Sequence, residues 1–145
     1  MGRIASAAWW HGAWRVALRA FLATIPVSFV WEMAQAHAFT GLPASMFWAT
    51  IACALASLGD GLLVLLIWSA GALVFGQAAW VRMEGWRGWL LLAILGIIVG
   101  IVVEVAFVHV LGRWGYRESM PLLPGIHVGL LPVFLLPVLD RKSVV

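Results

Sequence analysis

Charged residues are scarce in this chain, and their scarcity excludes most soluble proteins. Asp, Glu, Lys and Arg make up 10% of the 145 residues, whereas hydrophobic residues make up 64%. A soluble domain usually carries about 25% charged and about 45–50% apolar residues. A chain of this size has too little interior to hide so much apolar surface from water, so lipid must be the solvent for much of it. The composition therefore predicts an integral membrane protein.

Cysteine is rarer still, since Cys53 is the only one and lies within an apolar run. A single cysteine excludes an intrachain disulfide, and the lack of any paired-cysteine motif excludes the common structural zinc sites. The net charge of +3 does not indicate nucleic-acid binding, because the nine Lys and Arg residues are scattered singly at the edges of apolar stretches. The expected partners are membrane lipids, and a homo-oligomer or a larger membrane complex is a further alternative.

Four apolar stretches are long enough to cross a bilayer, because a helix needs about 20 mostly apolar residues to cross ~30 Å of hydrocarbon. They run from about residues 14 to 38, 45 to 76, 88 to 112 and 121 to 139. The second stretch is longer than one crossing requires, and a break at Gly59-Asp60-Gly61 is an alternative to one long helix. One long helix is favoured, since two full spans would need ~40 residues. The sequence thus predicts a single all-α domain, a polytopic transmembrane four-helix bundle.

The basic residues and the tryptophans predict how the bundle is oriented. With the amino terminus inside, seven of the nine Lys and Arg residues face the cytoplasm, and only Arg113 and Arg117 lie outside. This bias follows the positive-inside rule, so both termini are expected to be cytoplasmic. Most of the ten tryptophans, Trp80 among them, fall at predicted span boundaries and are expected to anchor there. Trp31 and Trp68 sit deeper and are expected to pack between helices.

Three acidic residues, Glu32, Asp60 and Glu104, fall inside the predicted spans. An ionised side chain at the bilayer centre costs at least ~2.5–3.5 kcal/mol, so such residues usually face the protein interior and pair. Each acid shares a helix face with small or polar residues, which can meet a neighbouring helix closely. The three faces are Thr24, Ser28, Glu32 and Gln35; Thr50, Cys53, Ser57 and Asp60; and Gly96, Gly100 and Glu104.

A shared cavity is expected where these faces meet. The rise per residue places Glu32, Glu104 and His127 at similar depth in the outer half of the membrane, with Asp60 nearer the midplane. His109 lies about 140° around the helix from Glu104 and is expected at the interface. In the outer connection, Arg113 and Tyr116 stand over the cavity, where arginine could pair with an acid or hold an anionic headgroup. The predicted binding residues are Glu32, Gln35, Asp60, Glu104, His127, Arg113 and Tyr116.

Structural roles remain open for the same residues. Glu32 could be a protonated carboxyl bonded to a carbonyl group, Asp60 could cap or join helix halves, and His127 could be structural. No metal site is predicted, because a di-metal centre in a four-helix bundle normally needs Glu-x-x-His pairs, which the sequence lacks. No cofactor fingerprint or nucleophile motif is present, so the cofactor and any catalytic residue stay unassigned.

Several short motifs, spread along the chain, resemble a pattern found in small bacterial four-span membrane proteins. They are Trp31-Glu32-Met33-Ala34-Gln35, Gly59-Asp60, Glu104, Gly112-Arg113-Trp114-Gly115-Tyr116 and Met120-Pro121. The resemblance implies the four-helix fold, the shared polar set and a bacterial inner (plasma) membrane location, and it implies no activity. The small multidrug exporters are also four-span proteins with a first-helix glutamate. This chain departs from them in length, in its long second helix and in its two further acids, so they serve as an analogy only.

Three functional hypotheses from different classes follow. The favoured one is a membrane protein whose Glu, Asp and His cluster binds or transports a proton, a cation or a small amphiphile. The second is an acid–base enzyme acting on a lipid or isoprenoid, which would need two groups whose environments push their pKa values apart. The third is an accessory subunit of a larger membrane complex. Carboxyl groups that share one cavity would favour the first two, and carboxyl groups facing lipid would favour the third.

Overall fold

The fold is mainly helical, as the sequence predicts. The computed structural model describes residues 7–135. Arg3, Arg141, Lys142 and the end of the predicted fourth span lie outside this range. The helices are α1 (Ala7–Gln35), α2 (Met46–Phe75), α3 (Trp80–Met83) and α4 (Trp86–Glu104), with a 3-10 turn at Ala36–Ala38 and a π-helical turn at Val105–Val110. Two short strands, β1 (Phe39–Thr40) and β2 (Gly115–Tyr116), complete the secondary structure.

Three helical stretches of the described chain are long and apolar enough to cross a membrane: Gly12–Ala38, Met46–Phe75 and Trp86–Val110. The second runs unbroken through Gly59-Asp60-Gly61. Helix α2 therefore forms one element of about 45 Å at 1.5 Å per residue, longer than the hydrocarbon core of a bilayer.

The predicted start of the fourth span at Pro121 is wrong. Residues 121–129 form a hairpin-like loop in which Leu122 and Gly129 pair in a β-bridge. The amide of Leu123 donates to the Val128 carbonyl at 2.8 Å, and helical conformation begins only at residue 130 and continues to residue 135. The cause is local, because Pro124 disfavours helical conformation at Leu123, although Pro121 alone would suit a helix start.

Helices α1 and α2 form the main pair, and one end of α2 builds the core with α3 and α4. Trp68 and Trp80 each donate an indole hydrogen bond within this core. The Trp80 indole donates to the Trp68 carbonyl at 3.1 Å, and the Trp68 indole donates to the Ala78 carbonyl at 3.0 Å. Trp80 is 0% exposed and packs where Gly71 leaves room for its ring. Trp68 is thus buried as predicted, but Trp80 is a core residue and not the expected interfacial anchor.

The opposite end of the helices is covered by a small structure that we call the cap, residues 38–42 and 114–120. Strands β1 and β2 pair antiparallel there, with Phe39 opposite Tyr116. Arg117 strengthens the pairing, since its amide donates to the Ala38 carbonyl at 2.9 Å and its Nε donates to the Phe39 carbonyl at 3.1 Å. Ala38, Phe39 and Met120 form the buried centre of the cap. The cap ties the connection after α1 to the connection after α4.

Candidate functional site

The polar faces of α1 and α2 meet as the sequence spacing predicts. Ser28 and Ser57 are fully buried between the helices. The Ser28 hydroxyl donates to the Asp60 carboxyl group, whereas the Ser57 hydroxyl donates to the Cys53 carbonyl of its own helix at 2.7 Å. Asp60 is therefore held by a residue of the neighbouring helix. Since Ser28 precedes Glu32 by four residues, Asp60 lies about 6 Å farther from the cap than Glu32 along the helix direction.

Gln35 and Glu32 form the second part of the site, at the end of α1. The Gln35 amide nitrogen donates to Glu32 Oε1 at 3.0 Å. Gln35 is only 4% exposed, and its Oε1 atom is buried with no hydrogen-bond partner among the described residues. A buried acceptor without a donor costs about 1–3 kcal/mol. Gln35 therefore offers a vacant acceptor next to Glu32.

Glu104 is the third acid. It is the last residue of α4 and lies under the cap. Its side chain is 4% exposed and accepts a hydrogen bond from the Tyr116 hydroxyl. Gly100, one turn earlier, lets the backbone of Val133 approach so closely that an added Cβ would lie 3.2 Å from it. The glycine face thus keeps Glu104 against protein, as its spacing predicts.

The π-helical turn after Glu104 shapes the roof of the site. The Leu111 amide donates to the Ala106 carbonyl at 2.9 Å, a bond across five residues that marks this wider turn. Phe107 within the turn stacks on Trp114, with ring centroids 4.8 Å apart and planes 9° apart. The Trp114 indole nitrogen is buried near Glu104, but it finds no partner in hydrogen-bond geometry within residues 7–135. The roof therefore places an indole donor beside Glu104.

These residues enclose a cavity of about 550 Å³ between α1, α2, α4 and the cap. Its volume falls in the ~300–1,000 Å³ range of small-molecule sites. The polar lining is Glu32, Gln35, Asp60 and Glu104, and most of the remaining lining is apolar: Ala36, Phe39, Leu42, Ala52, Cys53, Leu55, Ala56, Gly59, Leu62, Leu63, Gly100, Val103, Phe107, Trp114, Pro132 and Leu135. Mostly apolar walls with a few convergent polar groups are typical of a ligand site.

The structure brings most of the predicted site residues together. Glu32, Gln35, Asp60 and Glu104 line the cavity, and Tyr116 reaches it through Glu104. Three spanning helices therefore each contribute one carboxyl group.

Two predicted residues, Arg113 and His127, lie elsewhere. Arg113 is exposed and outside the cavity lining. Pairing of Arg113 with an acid, one of the alternatives that the sequence left open, does not occur in the described part of the chain. His127 is exposed in the loop before residue 130, with a φ of 52°. Its predicted depth assumed a helix from Pro121, and the loss of that helix removes it from the site. His109 is exposed, also outside the lining.

Sequence reasoning missed Phe39, Leu42 and Trp114 as lining residues. They reach the cavity through the strand pairing of the cap, for which two-residue strands leave no periodic signal. Ser28 was recognised as part of a polar face, and only the packing of α1 on α2 shows that its partner is Asp60.

The phenol of Tyr116 lies outside the spanning segments and is the site's titratable group in the cap. Burial raises its pKa above the ordinary value of 10.0, and the hydrogen bond to Glu104 raises the pKa further, because an ionised phenol would face the carboxyl group. Tyr116 is therefore a protonated donor throughout the physiological pH range.

Metal-binding geometry is a separate matter. Within residues 7–135, no three His, Cys, Asp or Glu side chains come close enough together to hold one ion.

No protein-family model, curated protein or solved structure matches the chain. The fold and the site define its class, a small helical protein with at least three helices able to cross a membrane and a carboxyl-lined cavity between them. Its function is therefore inferred from the chemistry of that cavity.

Proposed function

We propose that this protein is an integral membrane protein that binds, and carries, a small cationic ligand in the cavity between its spanning helices. Glu32, Asp60 and Glu104 act as the acceptors, and Gln35 supplies a further acceptor. Tyr116 positions Glu104. The cation is a protonated amine or another group that donates hydrogen bonds, and it exchanges with protons on the carboxyl groups.

One observation carries the proposal: three spanning helices each present an acid to one mainly apolar cavity. Within residues 7–135, Ser28 donates to Asp60, Gln35 donates to Glu32, and Tyr116 donates to Glu104, with the Trp114 indole also near Glu104. A carboxylate has about four lone-pair sites, so acceptor capacity remains for the three N–H donors of an ammonium group. In a low-dielectric cavity, an ionised carboxyl group paired with such a cation has a lower free energy than an ionised carboxyl group without a partner.

The experiment measures binding of n-butylammonium to the protein in lipid nanodiscs by calorimetry, with proton release followed by an indicator dye. Glu104→Gln and Glu32→Gln should each weaken binding about 10-fold or more, since one charge-assisted hydrogen bond contributes ~1.5–3 kcal/mol. Both variants should also reduce the protons released per ligand bound.

The matched control is Glu84→Gln, which makes the same acid-to-amide change outside the cavity, where Glu84 accepts a hydrogen bond from Gln77 at 2.6 Å. It should leave binding unchanged. Equal affinity in the wild type and in all three variants would refute the proposal.

We also propose that the chain lies in a bacterial inner membrane with its amino terminus cytoplasmic. The support is the excess of basic residues on one predicted side, with Arg3, Arg15, Arg19, Arg82 and Arg87 against Arg113 and Arg117. Alkaline phosphatase fused after Glu118 should be active, because that segment would face the periplasm, and the same enzyme fused after Glu84 should be inactive. The reverse pattern would overturn the orientation.

A further inference from the structure

We infer that the ligand is a single-chain amphiphile with an ammonium headgroup, which reaches the carboxyl groups from the bilayer through an opening between α2 and α4. This inference rests on the proposed function and adds the class of ligand and its route. Four features of the structure lead to it: where α2 and α4 are joined, which side chains form the rim, what closes the cavity end, and which polar atoms lack partners.

Helices α2 and α4 share a core at the end away from the cap. The buried residues through which they share a core are Val64, Ile67, Trp68 and Ala72 of α2 and Leu92 of α4. Leu92 precedes Glu104 by 12 residues, which is about 18 Å along the helix. Near Glu104 both helices line the cavity, together with Pro132 and Leu135 of the segment that packs on α4 at Gly100.

The α2 rim of the cavity lies at the outer surface of the molecule. Leu55 and Leu62 line the cavity, yet they are 62% and 61% exposed. Ala56, between them, is also exposed. These positions fall in the middle of an unbroken spanning helix, so the surface there faces acyl chains and not water. We call this gap, with Val103 and Phe107 on its α4 side, the lateral opening.

The cap closes the cavity at its polar end. Phe39, Leu42 and Trp114 line the cavity from the cap side, and the β1–β2 pairing and Arg117 hold them in place. A ligand arriving from water would have to separate these strands. A ligand dissolved in the bilayer meets only the apolar rim.

The vacant polar atoms define the headgroup. Gln35 is 4% exposed, and its Oε1 atom lines the cavity with no donor among residues 7–135. Together with the carboxyl groups of Glu32, Asp60 and Glu104, it gives four acceptor groups against the single indole donor of Trp114 among the described lining residues, and this excess favours a cationic donor over an anionic or purely apolar head. The apolar rim favours an alkyl chain that extends from this head into lipid. Charge complementarity at the head and apolar walls at the tail thus select one class of occupant.

The experiment uses dodecylammonium with a diazirine at the far end of its chain, added to the wild-type protein in nanodiscs and mapped by peptide mass spectrometry after illumination. Label is expected at Leu55, Leu62 or Val103. Leu73, which also lies on α2 and is 81% exposed, should carry at least about 10-fold less label. This ratio corresponds to one charge-assisted hydrogen bond between the ammonium head and the site. Unlabelled dodecylammonium should compete, and 1-dodecanol, with the same chain and no charge, should compete at least about 10-fold more weakly.

A variant pair tests the opening itself. Gly59 lines the cavity and an added Cβ there meets nothing within 4 Å, so Gly59→Phe should fill the opening without displacing the backbone. Gly12, also helical and equally free of neighbours, provides the matched control Gly12→Phe. Labelling of the rim should fall at least about 5-fold in the first variant and stay unchanged in the second.

Three outcomes would overturn the inference. Equal labelling of Leu73 and the rim, or equal competition by dodecanol, would mean that the probe only samples lipid. A dimer in native mass spectrometry with an unlabelled rim would mean that a second copy of the chain covers the opening. If acid-dependent butylammonium binding persists in these cases, the proposed function stands and only the lateral route fails. If that binding is absent as well, both the proposed function and the lateral route are refuted.

Discussion

The hydrogen bond between Tyr116 and Glu104 joins the cap to the spanning helices, and Tyr116→Phe isolates its contribution. The variant removes the hydroxyl group and keeps the ring, which lies 5.8 Å from the Phe39 ring between centroids. The backbone pairing of β1 with β2 does not depend on the side chain. The substitution therefore leaves a buried Glu104 oxygen without its donor and also removes the hydroxyl's interaction with the Gly129 backbone.

The expected loss of stability follows from that geometry. A hydrogen bond to a charged group contributes ~1.5–3 kcal/mol and one between neutral groups ~0.5–1.5 kcal/mol. Because Tyr116 is only partly buried, we expect about 1.5 kcal/mol, near the boundary between these ranges. A double-mutant cycle with Glu104→Gln should show a coupling free energy of about 1 kcal/mol.

Unfolding in mixed micelles of rising SDS fraction, followed by tryptophan fluorescence, measures these free energies. Thr50→Val is the control, since it removes a hydroxyl that bonds at 2.8 Å to the Met46 carbonyl of its own helix at an exposed position. It should cost less than about 0.5 kcal/mol. A Tyr116→Phe loss no larger than this control, or strictly additive losses in the cycle, would refute the role of the bond.

Further predictions concern titration, packing and the cavity wall. Tyr116 is the only tyrosine, so absorbance at the tyrosinate band should stay flat through its ordinary pKa of 10.0 and rise only at higher pH, whereas SDS-unfolded protein should titrate normally. Because the folded pKa is raised, the contribution of this group to stability is complete below pH 10 and is lost as pH rises. Titration at the ordinary pKa in the folded protein would contradict the burial of Tyr116. Gly71→Ala should cost ~1–3 kcal/mol of stability because the new Cβ meets the Trp80 ring, while Gly12→Ala, which meets nothing, should cost nothing in the same unfolding assay. Cys53, the single cysteine and part of the cavity wall, should react faster with an uncharged methanethiosulfonate than with its charged sulfonate analogue, since access is through lipid; equal rates, read by mass spectrometry, would indicate a water-filled path.

Local pattern was sufficient for the helical faces. The burial of Ser28, Ser57 and Gln35 follows from their helical spacing, because side chains three or four residues apart share one face and a polar face avoids lipid. The same reasoning failed at His127, where composition indicated an apolar span and proline chemistry prevented the helix from starting at Pro121. Hydropathy reports solvent preference, whereas hydrogen bonding of the backbone decides where a helix begins.

The sequence by itself predicted helices apolar enough to cross a membrane and three carboxyl groups, including Glu104, that turn inward, because both follow from transfer free energies of individual residues. Only the tertiary structure decided that these groups share a cavity, that Ser28 and Tyr116 hold two of them, and that Leu62 both lines the cavity and is exposed. Such contacts join residues far apart in the chain. They depend on how helices cross and where they separate, which no local periodicity encodes.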